Sequence, residues 1–166
     1  MTRRWIDLVR NSHLLTSLYS EVPPLEAVRL RSVHLDWRGP SLTLRLDLPV
    51  FPDNMSDDSL ESSHDTLQIH IKFLAIDRVV LSSLPHSLVD ISISHLGESR
   101  ISVAAAKGAG KFSFTAGDEL LIGHISSFAR AGDGSDGGPR KFLSRLDARI
   151  FTSLPDVCER TFYERI

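Results

Sequence analysis

Leu42, Leu44, Leu46, Leu48 and Val50 fall at every second position, with Thr43, Arg45 and Asp47 between them, and the same period of two returns along much of the chain. Side chains on an extended strand point to opposite faces at successive residues, so this pattern sets an apolar face against a polar one. A helix would scatter those leucines around its circumference. The run therefore predicts a strand, and the shorter runs around it predict a predominantly antiparallel β protein with one wet face per hairpin.

Val28 and Leu30 alternate in one phase, and Val33, Leu35 and Trp37 in the other, so the phase slips at Arg31-Ser32. A slip of one residue turns every later side chain to the opposite face, and a bulge within one strand is the favoured reading over two consecutive strands. Arg38-Gly39-Pro40-Ser41 supplies the turn into the Leu42 strand. Leu67, Ile69, Ile71 and Phe73 are read as inward, with Gln68, His70 and Lys72 outward, and the pattern resumes at Ile76 and Val79 to Leu81. Short strands are expected at Leu88 to His95, Arg100 to Ala105, Lys111 to Thr115 and Glu119 to Phe128. Turns at Gly97, at Lys107 to Gly110 and at Gly117-Asp118 give the spacing of a meander.

The two ends read differently. Trp5, Leu8, Val9, Leu14, Leu15, Leu18 and Tyr19 are spaced by threes and fours, which predicts an amphipathic helix over residues 5 to 20 that Pro23-Pro24 terminates. Ser12 is a candidate cap for its second part. A last strand is expected around Phe142 to Phe151, and a closing helix at Pro155 to Tyr163. The expectation is an α+β chain: an N-terminal helix, then an eight- or nine-stranded meander that curls or splits into two packed sheets. At 166 residues it makes a single domain over 1 to 166 and needs no disulfide to hold it together.

Two segments stand outside that pattern. Residues 52 to 65 carry five carboxylates, Asp53, Asp57, Asp58, Glu61 and Asp65, without a lysine or arginine, and read as an exposed acidic loop. Residues 131 to 139, Ala-Gly-Asp-Gly-Ser-Asp-Gly-Gly-Pro, are too poor in apolar groups to bury and read as a mobile loop.

Chemistry-bearing motifs fail on their spacing. Around Gly110-Lys111 a phosphate loop would need glycine at Ala105 and a hydroxyl at Phe112, and the segment leads into a strand rather than a helix. A calcium loop starting at Asp133 would place Gly137 and Ser144 where ligands belong. None of the seven histidines has a metal-binding spacing to another, His34 and His70 fall on polar strand faces, and no Gly-x-Ser-x-Gly elbow occurs. Cys158, the only cysteine, reads as a small buried side chain. The expectation is no catalytic residue, no metal and no cofactor. Lys+Arg 19 against Asp+Glu 21 gives a formal charge of -2, which offers no field for nucleic acid. Asp7 and Arg10 interrupt the N-terminal segment before an export signal can form, no apolar run is long enough to span a membrane, and a reducing cytoplasm fits a lone cysteine.

The order of elements carries a resemblance: Trp5 on a helix, Pro23-Pro24-Leu25, Leu30-Arg-Ser-Val-His-Leu35, Gly39-Pro-Ser-Leu-Thr-Leu44, Ile71-Lys-Phe73 and Phe112-Ser-Phe114. Over about residues 5 to 130 this resembles the Immunity protein 50 family of bacterial polymorphic toxin systems, with the acidic and glycine-rich segments as additions. The resemblance implies a non-enzymatic cytoplasmic protein that binds and neutralises a cognate toxin. A basic toxin would suit Asp53, Asp57, Asp58, Glu61 and Asp65 as partner-binding residues. The alternatives are an accessory β-domain that associates with other proteins and a β-fold with a small-ligand cavity.

Overall fold

The strands expected from alternation form in order. A computed structural model describes residues 4–55, 63–83, 88–106 and 111–151. A 3-10 turn at Trp5–Leu8 and a short helix α1 (His13–Thr16) precede β1 (Val28–Asp36), β2 (Ser41–Asp47), β3 (Thr66–Leu74), β4 (Asp77–Leu81) and β5 (Leu88–Gly97). Then follow β6 (Arg100–Ala106), β7 (Phe112–Gly117), β8 (Leu120–Phe128), β9 (Arg140–Phe142) and a helix α2 (Arg145–Ile150). The nine strands make one open sheet in the order β4-β7-β6-β5-β1-β2-β3-β8-β9. No helix among the described residues is long and apolar enough to cross a membrane.

The sheet is two meanders that exchange a strand, rather than a single meander. β1-β2-β3 and β5-β6-β7 each run as consecutive antiparallel neighbours, but β4 leaves β3 to pair with β7, and β8 leaves β7 to pair with β3. Among the described residues the halves pair along the sheet at Val28 opposite Val89 and Arg29 opposite Leu88. The sheet curls at that narrow seam. Phe73 on β3 meets Phe114 on β7 edge to face at 4.9 Å, although β6, β5, β1 and β2 lie between them in the sheet. Between the folded halves lie Leu42, Leu44, Leu46, Ile69, Ile71, Phe73, Ile101, Val103, Phe112 and Phe114, all buried. Each such side chain contributes roughly 1.5–3 kcal/mol by leaving water.

The phase slip at Arg31-Ser32 is a bulge within one strand, since the β1–β2 register shifts between Leu30 and Ser32 while pairing continues on both sides. A second irregularity lies in the β3–β8 ladder, where Ile69 faces Ile125 but Ile71 faces Ile122, so Gly123 and His124 together stand opposite His70. A Cβ at Gly123 would lie 3.2 Å from the Cβ of His70, so glycine fits this close approach.

The single N-terminal helix is not formed. After the 3-10 turn the chain extends at Val9, which bridges in parallel to Leu120, and Arg10 N–H donates to the Leu120 carbonyl. Asn11 completes the docking, its amide donating to the Ile122 carbonyl and its side-chain oxygen accepting from Ile122 N–H. Partners on β8 thus replace the hydrogen bonds a continuous helix would have made. Ser12 precedes α1 without a side-chain cap bond. The expected strand at 142 to 151 is also corrected: extended pairing stops at Phe142, and Ser144 caps α2 by accepting from Asp147 N–H. Pro155 to Tyr163, Cys158 and the turn at Lys107 to Gly110 lie outside the described residues.

Candidate functional site

Alternation assigns a polar face to β1, β2, β3 and β8, and that face is not open to water. Asp47, Gln68, His70, His124 and Ser126 are all buried on it. The cover comes from residues 131–142 and α2. The segment read as a mobile loop therefore lies across the sheet, fixed by arginines that reach out of the strands: Arg31 Nη1 donates to the Gly134 carbonyl at 2.8 Å, and Arg140 Nη2 to that of Asp136 at 2.6 Å.

Beneath the segment is a network of three arginines and two aspartates with Gln68 at its centre. Gln68 Oε1 accepts from Arg140 Nη1 at 2.9 Å and Arg45 Nη1 at 3.4 Å, while its amide donates to Asp47 and Asp136 at 2.8 and 2.9 Å. Asp47 Oδ2 accepts both Nε and Nη2 of Arg31, at 2.9 and 2.6 Å. Arg45 Nη1 lies 2.5 Å and Arg140 Nη2 3.3 Å from Asp136 Oδ2. Burial alone would raise the Asp136 pKa, but the Gln68 amide and the guanidiniums of Arg45, Arg31 and Arg140 outweigh it and hold the carboxyl below its ordinary value. Arg140, with a side chain only 1% exposed, stacks its guanidinium over Phe128 at 4.7 Å.

Next to this network His70 and His124 meet edge to face, with ring centroids 5.2 Å apart. Burial, reinforced by the positive charge of its neighbours, pushes the His70 pKa down to about 3, so this side chain is neutral near pH 7. His124 Nδ1 lies 3.2 Å from Asp147 Oδ2 on α2, and both side chains are buried. This pair was not legible in the sequence, because Asp147 reaches His124 only through the helix that replaces the expected strand.

The acidic segment is anchored at both feet. Asp53 accepts from Ser20 N–H at 2.9 Å, Asn54 N–H donates to the Leu18 carbonyl, and Tyr19 donates its hydroxyl to the Val50 carbonyl at 2.7 Å. At the far foot Asp65 accepts from Arg130 N–H and from the Thr66 hydroxyl. The bonds from Ser20 and from Arg130 with Thr66 hold the Asp53 and Asp65 carboxyls below their ordinary pKa values. Asp57, Asp58 and Glu61 lie outside the described residues.

His64 Nδ1 is 2.8 Å from Ser127 Oγ, a contact resembling an activated hydroxyl, but Ser127 is fully buried. Among the described residues no three His, Cys, Asp or Glu side chains gather as a metal would require. A groove of about 400 Å³ between α1 and the β9–α2 junction is lined by Leu14, Leu18, Ile125 and Leu143, with His13 its only titratable side chain. Outside the core, Trp37 projects from the β1–β2 hairpin at 85% exposed, and Val79, Val80 and Leu81 lie exposed on the edge strand β4.

The described residues thus form a curled antiparallel sheet with one face closed by a buried polar network, and Asp53 and Asp65 are fixed at the two ends of the acidic segment. The chain belongs to the Immunity protein 50 family, whose model matches residues 11–116. That range takes in α1, β1 to β7 and the acidic segment, so the latter lies within the family region, whereas residues 131–139 lie beyond it. No curated protein matches the chain, and no solved structure does.

Proposed function

We propose that this chain is an immunity protein that binds a toxin encoded beside it and neutralises that toxin in the cytoplasm by covering it, without catalysis. The observation that carries this reading is the family match over residues 11–116. The curled sheet supports it physically, since a rigid scaffold presents loops with little ordering cost on binding. Co-expression with the adjacent toxin gene tests it. Growth rescue together with a stable complex on co-purification is the expected result, and toxicity without rescue overturns it.

The acidic segment is proposed to steer a basic toxin. Asp53 and Asp65 serve the loop's feet, so the clean variant is Asp57→Asn with Asp58→Asn and Glu61→Gln. In low salt that triple change should slow association by roughly three- to tenfold and leave dissociation nearly unaltered. An unchanged on-rate in stopped flow removes the loop from recognition. A second reading, an accessory β-domain that associates through its edge, is favoured by the exposed Val79, Val80 and Leu81 on β4. Sedimentation separates the two: a concentration-independent monomer supports immunity, and a stable oligomer supports association through the edge.

A further inference from the structure

Asp136 sets its carboxylate among the guanidiniums of Arg31, Arg45 and Arg140. Among residues 129–139 only Gly134 and Asp136 are even partly covered, and the covered group of Asp136 is a carboxylate set among guanidiniums. Its contacts are unevenly shared. Gln68 Nε2 at 2.9 Å, Arg45 Nη1 at 2.5 Å and Arg140 Nη2 at 3.3 Å all approach the same oxygen, Oδ2, with Arg31 Nε a further 4.0 Å away. One carboxylate oxygen offers about two lone pairs, fewer than the donors turned toward it.

The charge is uneven as well. Arg31 is matched by Asp47, which leaves Arg45 and Arg140 facing the single charge of Asp136. Arg29 adds a fourth guanidinium directly under the segment, since a Cβ on Gly134 would lie 3.5 Å from its Nη1, and its buried Nε finds no hydrogen-bond partner among the described residues. Four cations thus stand against two carboxylates, and a dianion with several oxygens in place of the Asp136 carboxylate would halve that surplus while offering more acceptors.

The segment that carries Asp136 is tied to the sheet by its carboxylate and by the guanidinium bonds from Arg31 to the Gly134 carbonyl and from Arg140 to the Asp136 carbonyl, so its release must exchange those bonds for bonds to the ligand. Its own backbone bonds, Gly134 N–H to the Ala131 carbonyl and Ala131 N–H to that of Ser135, are internal to it, and Gly132, Gly137 and Gly138 would meet nothing on gaining a Cβ. We propose that Arg31, Arg45, Arg140 and Gln68, with Arg29 beside them, form a binding site for a phosphate-class oxyanion that Asp136 caps from within the chain. Phosphate entry displaces the Asp136 carboxylate and lifts residues 131–139 from the sheet. The site is independent of toxin binding, so it stands or falls separately from the immunity reading.

The test is titration of the full chain with inorganic phosphate, phosphoserine and acetate at matched ionic strength. In the unsubstituted protein, the amide resonances of Gly132, Gly134 and Gly137 should shift saturably with phosphate or phosphoserine and not with acetate. In Asp136→Asn, calorimetry should show phosphate bound at least tenfold more tightly. Tighter binding of phosphoserine assigns the site to phosphate monoesters, and tighter binding of inorganic phosphate to the free ion. No saturable shift in the unsubstituted protein, equal response to acetate, or unchanged affinity in a folded Asp136→Asn protein overturns the proposal. Should Asp136→Asn fail to fold, the glycine shifts of the unsubstituted protein decide alone.

Discussion

The two faces of β2 and β3 are both buried, yet by opposite means. On one face Leu42, Leu44, Leu46, Ile69, Ile71 and Phe73 close against the other half of the sheet through shape and apolar area. On the other, Arg45, Asp47 and Gln68 close against residues 131–142 through charge and directed hydrogen bonds. The apolar face makes no demand on direction, because hydrophobic burial follows area, but it must stay closely packed to keep its dispersion contacts. The polar face is all or nothing, since each group taken from water without its partner keeps the full desolvation cost.

That contrast can be broken from either side. Phe73→Ala removes a fully buried ring from its contact with Phe114 and should cost about 4 kcal/mol in urea denaturation, the largest effect expected of a single change here. Asp47→Ala should cost about 3 kcal/mol, because it strands Arg31 and one amide hydrogen of Gln68. A paired Arg31→Met and Asp47→Leu protein should recover most of that loss, and failure to recover would mean that the network does more than balance its own charges. The last effect is a slope, spread over several pH units. The His70 pKa is lowered in the folded protein to about 3, through burial and the nearby His124, Arg45 and Arg140. The unfolded chain, with a histidine near 6.5, therefore binds the proton first as pH falls. Stability contributed by neutral His70 is complete above pH 6.5 and is lost toward pH 3, by at most about 1.4 kcal/mol per pH unit. His70→Leu should flatten that part of the stability–pH curve, and an unaltered slope would show that His70 is protonated without penalty.

Period-two alternation made the strands and the apolar face legible, because side-chain direction in a strand is a local property of the backbone. The bulge at Arg31-Ser32 was legible for the same reason, as one phase slip. What covers the second face was not, since Arg45, Gln68 and His70 read as solvent-facing polar residues until Asp136, far along the chain, is placed upon them. Apolar spacing at Trp5 to Tyr19 points to one continuous helix, but it cannot reveal that Asn11 finds its partners on Ile122. The strand exchange was hidden for a related reason: alternation marks strands without saying which neighbour each will take. Within the acidic segment the charges were plain from composition, while the anchoring of Asp53 and Asp65 depends on Ser20 and Arg130, remote in sequence.

The pairing of β3 with β8 also sets a schedule. Ile69 meets Ile125, roughly fifty residues later in the chain, after the whole β5-β6-β7 meander. A ribosome adding about 5–20 residues per second leaves the β8-facing edge of β3 without its partner for several seconds. During that interval β3 exposes along this edge a ladder of open backbone groups that another chain could join. The newborn protein therefore passes through a stage in which one edge of its sheet stands open, and slower synthesis lengthens that stage.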